Sequence, residues 1–247
     1  MVGGSISRME LNIAYLYYDI LNTYGDRGNV LILKKVIEDN TIRCNISYVT
    51  VDNDFKYKDY DIVFIGGGQD NDQIAAGRDL SKNKKESLQT YIEDGGCGLY
   101  VCGAYQLLGK KYIAANGNEI EGTGIFDIYT EKGENRFRGN IIVQSKIFNT
   151  KLVGFENHSG RTFINNYEPL GYVEYGYGNN GQDKTEGLVY KNTICTYLHG
   201  CCLSKNPEII QFIIENALKK KYNIEYNLSI DESLFKGKRS VIKMIQP

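Results

Sequence analysis

The chain has no excess of positive charge, no long apolar run and no paired-cysteine motif, and each absence removes a class of function. Lys plus Arg total 29 against 30 for Asp plus Glu, so no surplus of cations exists to neutralise a phosphate backbone or an anionic bilayer. Nucleic acid is therefore not an expected partner. No stretch approaches the roughly 20 apolar residues that cross a bilayer, and the N-terminus lacks the basic-then-apolar order of a signal peptide, so membrane insertion is not expected and the expected location is the cytoplasm. The six cysteines include no C-x-x-C pair, which excludes the common zinc and disulfide frameworks and leaves free thiols. There are only two histidines, so the search for a catalytic imidazole is short.

The 247 residues, 42% hydrophobic and 24% charged, suit a soluble α/β protein of one large domain, given about 100–200 residues per domain. Residues 1–8 read as a leader ahead of Met9, residues 9–222 as the domain, and residues 223–247 as a tail without clear periodicity. Short apolar runs at 11–17, 46–51, 62–65 and 98–101 alternate with helical spacing. That order predicts a mostly parallel sheet flanked by helices. One predicted helix starts near Asn29 and carries Val30, Leu33, Val36 and Ile37 on one face; another runs through Leu88, Tyr91 and Ile92 to Gly95-Gly96. From 124 onward GIFDIYT, GNIIVQS and a hairpin around Lys191-Asn192 predict added antiparallel strands, and FENHSGRT reads as a loop. Asn206 and Pro207 predict a helix start, with Lys219, Lys220 and Lys221 near the helix end.

Cys102 follows the GLYV run and precedes Gly103-Ala104. A thiol at a sharp strand-to-helix turn sits beside free backbone N–H groups that lower its pKa and can hold an oxyanion. Most cysteines after a strand are inert core residues, so the neighbours must decide. Ala104 supplies the small residue such an elbow wants two positions on, whereas Tyr100 is too large for its counterpart two positions back. His199 ends TICTYL and is followed by Gly200, which places an imidazole at the same carboxyl edge as Cys102 if the two strands are parallel. His158, in the polar FENHSGRT run, is the weaker candidate base. Gly66-Gly67-Gly68 closes the IVFI run and lets backbone N–H groups approach a ligand. It is no dinucleotide fingerprint, and AYQLLGKK misses the phosphate-binding P-loop at Ala104 and Lys111. With no ATP motif, an amide-forming reaction needs a second protein.

Taken together, IGGGQDNDQ, YVCGAYQLLGKKY, EGTGIFDIYTEK with NRFRG, VGFENHSGRT and TYLHG resemble class I glutamine amidotransferases of the cobyric-acid-synthase-like branch, over nearly the whole stretch from Leu11 to Tyr222. The resemblance implies a flavodoxin-like amidotransferase domain that hydrolyses L-glutamine, with Cys102 as nucleophile and His199 as general base. By the same likeness Arg136 binds the substrate carboxylate, Gln106, Gly67 and Gly68 line the glutamine pocket, and the N–H groups of Gly103 and Gly67 hold the oxyanion. The His-x-Glu of many class I enzymes is replaced by His199-Gly200-Cys201, which implies a Cys–His dyad. Cys201 also stands where related sequences read L-H-G-P. Within the branch the likeness is nearest to glutaminase subunits that pass ammonia to a Mur-ligase-like (MurT-type) synthetase, which amidates the D-glutamate of lipid II to D-isoglutamine in peptidoglycan synthesis. ATP and metal belong in that partner, and no cofactor is expected here. Two other readings stay open: a glutaminase for another acceptor such as a corrinoid, and a catalytically silent scaffold.

Overall fold

The alternation in the first part of the chain resolves as a parallel sheet whose carboxyl edge carries the candidate residues. The computed structural model describes residues 9–113, 117 and 119–245, so the expected leader 1–8 lies outside the described residues. Four strands build the parallel core, β1 (Glu10–Leu16), β2 (Arg43–Val49), β3 (Ile62–Ile65) and β4 (Cys97–Val101). Their apolar side chains are sealed, with Ile13, Leu16, Val63, Phe64, Leu99 and Val101 each at most 1% exposed, as a sheet covered on both faces requires. Helix α1 (Arg27–Asp39) buries Val30, Leu33, Val36 and Ile37, the face expected from the spacing.

After β3 the chain enters α2 (Asp70–Asp79), continues through one π-helical stretch at 80–84, and completes α3 (Lys85–Glu93), which buries Leu88, Tyr91 and Ile92. Helix α2 escaped the sequence reading because DNDQIAAGRD has almost no apolar periodicity and no side-chain cap. A charged group is buried at its end: Lys84 pairs with Asp79, whose carboxylate also accepts from Tyr17 at 2.8 Å. The short α4 (Gly103–Leu107) follows β4 directly.

A second sheet holds β5 (Lys111–Ile113), β6 (Glu119–Glu121), β7 (Tyr129–Ser145), β8 (Thr150–Phe163), β9 (Gly171–Tyr175) and β10 (Thr185–Glu186). Its order is β10-β9-β7-β5-β6, with β8 against β7. Two expectations fail here. GIFDIYT is not a strand until Tyr129, because the residues before it are tied by single backbone bonds to α4 and its exit, such as Phe126 N–H to Leu108 O at 2.9 Å. FENHSGRT is not a loop but the middle of β8, paired antiparallel with β7 through Arg138↔Asn157 and Phe137↔His158. Its polar residues face a buried site rather than solvent.

The chain then returns to the first sheet through β11 (Leu188–Tyr190) and β12 (Thr193–Thr196), the expected hairpin around Lys191-Asn192. The first sheet reads β11-β12-β4-β3-β1-β2, and β12 is parallel to β4 with Thr196 opposite Val101. Helix α5 (Pro207–Tyr222) follows, and the tail forms α6 (Glu232–Ile245), anchored by Lys238 on Glu208 at 2.5 Å. No helix among the described residues is long and apolar enough to cross a membrane.

Asn206 precedes α5 as expected, but its side chain does not cap the helix. It acts as a piece of strand instead: Oδ1 accepts from Val153 N–H at 2.9 Å, while Nδ2 donates to Val153 O at 2.8 Å and Cys202 O at 2.7 Å. The side chain thus fastens β8 to the segment after His199. Asn206→Ala leaves those buried groups unpaired, and at about 1–3 kcal/mol for each such group the variant should lose roughly 2–5 kcal/mol in a urea titration. A loss below about 0.5 kcal/mol, the scale of an ordinary surface change, would contradict this bracing role.

Candidate active site

The register of β4 and β12 sets the geometry. Cys102 N–H donates to Thr196 O at 2.9 Å, so the thiol begins one residue beyond the last paired position. Its backbone is forced into φ 52°, ψ −101°, a conformation that L residues adopt only under constraint. The expected elbow is present despite Tyr100. Room for that ring comes from Gly98: a Cβ there would lie 2.5 Å from the Tyr100 ring, so a glycine two residues further back replaces the missing small residue. Helix α4 has only five residues, so its dipole contributes little, and stabilisation of a thiolate falls mainly to side chains.

His199 lies three residues past the end of β12 and is held by a two-way bridge to β8, with His199 N–H to Phe155 O at 3.0 Å and Phe155 N–H to His199 O at 3.3 Å. Its Nδ1 stands 3.2 Å from Asp26 Oδ1, both side chains fully buried. Its Nε2 has no hydrogen-bond partner among the described residues and is left for Cys102, beside the ring. The two meet across Gly67, where a Cβ would lie 3.1 Å from Cys102 Cβ and 3.2 Å from His199 Cε1. Burial pushes the imidazole pKa down, but the Cys102 and Asp26 charges outweigh it and hold the pKa well above the ordinary histidine value. A charged imidazolium beside the thiol is the arrangement that generates a nucleophilic thiolate.

Asp26 is the residue the sequence reading missed. It comes from TYGDRG, far from TYLHG in the chain, and no spacing rule links them. It supplies the orienting carboxylate expected to be absent, so the geometry is Cys102–His199–Asp26 rather than a bare dyad. Its other oxygen, Oδ2, accepts from Gly67 N–H at 2.8 Å. That bond corrects the expected oxyanion role of Gly67, whose N–H is already spent. The neighbouring Gly68 faces the cavity, and the peptide between them is fixed by Thr23, whose N–H and hydroxyl both donate to Gly67 O at 2.9 and 2.8 Å. Because C=O and N–H point opposite ways in a trans peptide, the Gly68 N–H is aimed away from Thr23.

Beside these residues lies a cavity of about 660 Å³, whose lining includes neither His199 nor, contrary to expectation, Gly67. Cys102, Gln106 and Gly68 line it, as does Arg136. Arg136 sits in a bulged stretch of β7 between Lys132 and Phe137, which breaks the two-residue alternation that would have given Arg138 the same face. Its guanidinium donates to Asn157 O at 3.0 Å and Tyr24 OH at 3.3 Å. Arg138 is not among the residues lining the cavity, and Arg161 is committed to the carbonyls of Ser159 and Gly160 and to the Phe137 ring, 3.3 Å from its centroid. His158 also lines the cavity, but in a form unsuited to a base. Its Nδ1 donates to Gly160 O at 2.9 Å, its ring stacks on Tyr197 at 3.6 Å, and burial pushes its pKa down to about 3. Nearby Glu156, buried and 4.0 Å from His158 Nε2, is pushed up to about 7 by desolvation. The loop after His199 differs from an L-H-G-P sequence for a plain reason: Cys201 has φ 50°, which proline, held near −65°, cannot adopt.

A parallel α/β sheet with a strained cysteine at one strand end and a buried His–Asp pair at the next defines a cysteine-dependent amidohydrolase site on a glutamine amidotransferase fold. The chain belongs to the family described as the CobB/CobQ-like glutamine amidotransferase domain, which matches residues 12–207. Over 212 residues it is 46% identical to the lipid II isoglutaminyl synthase (glutamine-hydrolyzing) subunit GatD of Staphylococcus aureus, covering 86% of each chain. It is 44% identical over 227 residues to the GatD subunit of Streptococcus pneumoniae, covering 91% of this chain and 87% of that one. A probable cobyric acid synthase of Methanocaldococcus jannaschii is 35% identical over 173 residues, 62% of this chain and 33% of that protein. The fold is also that of PurLQS from Thermotoga maritima, with a TM-score of 0.56 at 16% identity over 85% of this chain and 99% of that one.

With only two histidines, the imidazole NMR signals can be assigned by one substitution. The His199 signal should titrate well above the usual histidine range, while His158 stays neutral throughout the physiological range. In Asp26→Asn the His199 pKa should fall, because the neutral amide no longer favours the imidazolium. An unchanged His199 titration would mean that Asp26 does not hold the ring.

Proposed function

We propose that the chain is the glutaminase subunit of a lipid II isoglutaminyl synthase, hydrolysing L-glutamine and passing the ammonia to a Mur-ligase-like, MurT-type synthetase subunit. The observation that carries the chemistry is the buried His199–Asp26 contact of 3.2 Å beside Cys102. Likeness to two GatD subunits across most of both chains supports the choice of acceptor.

In this reading the Cys102 thiolate attacks the carboxamide carbon of glutamine, and the N–H groups of Gly103 and Gly68 hold the developing oxyanion. Gly103 is the first residue of α4, whose N–H has no partner within the helix. His199 delivers its Nε2 proton to the amide nitrogen, the C–N bond breaks, and ammonia departs from a γ-glutamyl thioester. The neutral imidazole then takes a proton from water, hydroxide adds to the thioester, and glutamate leaves as the thiolate re-forms. Asp26 holds His199 in the tautomer that directs Nε2 at the sulfur. Arg136, braced through Nε and Nη2 by Asn157 and Tyr24, receives the substrate α-carboxylate on its remaining Nη1, and Gln106 lines the same pocket. The ATP-dependent activation of the D-glutamate carboxylate belongs to the partner.

The test is co-expression with a Mur-ligase-like synthetase, followed by assay with glutamine, ATP and lipid II. Glutamate release and amidated lipid II are the expected products. Cys102→Ser should abolish both while the subunits still co-purify; amidation of a corrinoid instead, or no hydrolysis at all, would favour one of the other two readings. Arg136→Ala should raise KM for glutamine by about 10- to 100-fold, from the roughly 1.5–3 kcal/mol of a charge-assisted contact, with kcat little changed. A larger KM effect in Arg138→Ala would move the carboxylate site.

A further inference from the structure

Arg161 is not among the residues that line the cavity, yet it holds the strand on both sides of Arg136. The ladder between β7 and β8 pairs Lys132 with Gly160 and Phe137 with His158, so the four residues 133–136 stand opposite Ser159 alone. A bulge of this size interrupts the ladder hydrogen bonds, and the alternation of the pleat no longer fixes which way its side chains point. Arg136, the last residue of the bulge, nevertheless lines the cavity. Its direction has to be set by contacts from outside the ladder.

The guanidinium of Arg161 supplies them. Nη1 donates to Ser159 O at 3.0 Å and Gly160 O at 3.2 Å on β8, and Nη2 reaches across to Asn135 O at 2.5 Å on β7. Its Cζ lies 3.3 Å from the centroid of the Phe137 ring, a cation–π contact on a ring that Tyr177 also stacks, at 4.2 Å. Asn135 and Phe137 are the residues immediately before and after Arg136. Gly133 leaves room for this clamp, since a Cβ there would collide with the Arg161 guanidinium. A lysine at 161 would be a poor substitute, because a point charge lacks the planar fork that reaches both strands.

Resting on the glutaminase reading, in which Arg136 receives the α-carboxylate of glutamine, we propose that Arg161 is a positioning residue for substrate binding: by gripping Asn135 O and the Phe137 ring it aims Arg136 into the cavity. A bulge left to itself allows many directions, and ordering Arg136 only when substrate arrives would cost binding free energy. Asn157 completes the alignment from β8, with Oδ1 and O both accepting from Arg136. Arg161 therefore acts on glutamine binding through Arg136, and not on the thiol or the imidazole.

Arg161→Met keeps an unbranched stem against Phe137 and removes the fork, and Arg161→Lys keeps the charge. Gly133→Ala retains Arg161 but puts a methyl group where its guanidinium lies, so it reads the same effect should Arg161→Met fail to fold. Each is assayed for glutamine hydrolysis in the complex with the synthetase partner. Labelling of Cys102 is followed by peptide mass with two reagents: 6-diazo-5-oxo-norleucine, which carries the α-carboxylate, and iodoacetamide, which does not. Arg161→Met should raise KM for glutamine about 3- to 10-fold, less than loss of Arg136 itself, with kcat little changed. Arg161→Lys should recover part of that, and Gly133→Ala should shift KM in the same direction. The diazo-ketone should label Arg161→Met correspondingly more slowly, while iodoacetamide labels it at the wild-type rate. In an Arg136→Ala background the Met substitution should add less than about twofold to KM, because both changes remove one contact. Equal slowing with both reagents, a KM effect that multiplies with that of Arg136→Ala, or an unchanged KM in Arg161→Met would overturn the proposal. A wild-type complex that hydrolyses no glutamine would instead overturn the glutaminase reading on which it rests.

Discussion

The carboxylate of Asp26 is fully buried, and its two oxygens do different things. Oδ1 meets the Nδ1 of His199, and Oδ2 takes the N–H of Gly67. A buried charge without partners is strongly unfavourable, so these contacts tie together three segments distant in the chain: the loop before α1, the glycine turn after β3 and the stretch after β12. Once the carboxylate is placed, the imidazole has one tautomer and one direction, and the turn has one N–H engaged and the next directed elsewhere. A glycine at 67 suits this crowding, since a Cβ there would lie 3.1 Å from Cys102 Cβ and 3.2 Å from His199 Cε1, and both neighbours would have to give way.

Around that anchor the fold acts as a positioning device. The β3–β4 and β4–β12 pairings bring the glycine turn, the cysteine and the histidine to one sheet edge, with Cys102 directly after its last paired residue and His199 three residues after the end of its strand. The second sheet closes the other wall. β8 bridges to His199 through Phe155, is fastened to the following segment by Asn206, and presents Asn157 to Arg136. The strained backbone at Cys102, of order 1–3 kcal/mol in such cases, is sustained because both neighbouring strands fix the ends of the turn.

Much of this was legible in the sequence where a local rule applied. The apolar runs marked β1 to β4, the spacing of Val30, Leu33, Val36 and Ile37 marked α1, and Cys102 and His199 stood out as a thiol and an imidazole at strand ends. Arg136 was reached only through family resemblance, because a bulge in β7 rather than any motif turns it toward the cavity. What stayed hidden was of two kinds. Helix α2 and strand β8 carry polar residues because they face a site rather than solvent or core, so hydrophobic periodicity is silent there; α6 is amphipathic, and its pattern went unread. The role of Asp26 depends on contacts between remote segments, which no spacing within one sequence encodes. The expectation that Gly67 would donate to the oxyanion failed for the same reason.

In the proposed mechanism His199, oriented by Asp26, drives a covalent route through Cys102. The direct measurement is acid-quenched mass spectrometry of the protein during turnover of glutamine. A γ-glutamyl adduct is expected on the peptide containing Cys102, transient in the wild type and altered in its rates of formation and decay in Asp26→Asn. Turnover at the normal rate without any adduct, in a rapid-quench series fast enough to resolve a single cycle, or an adduct mapped to Cys97 or Cys201, would contradict it.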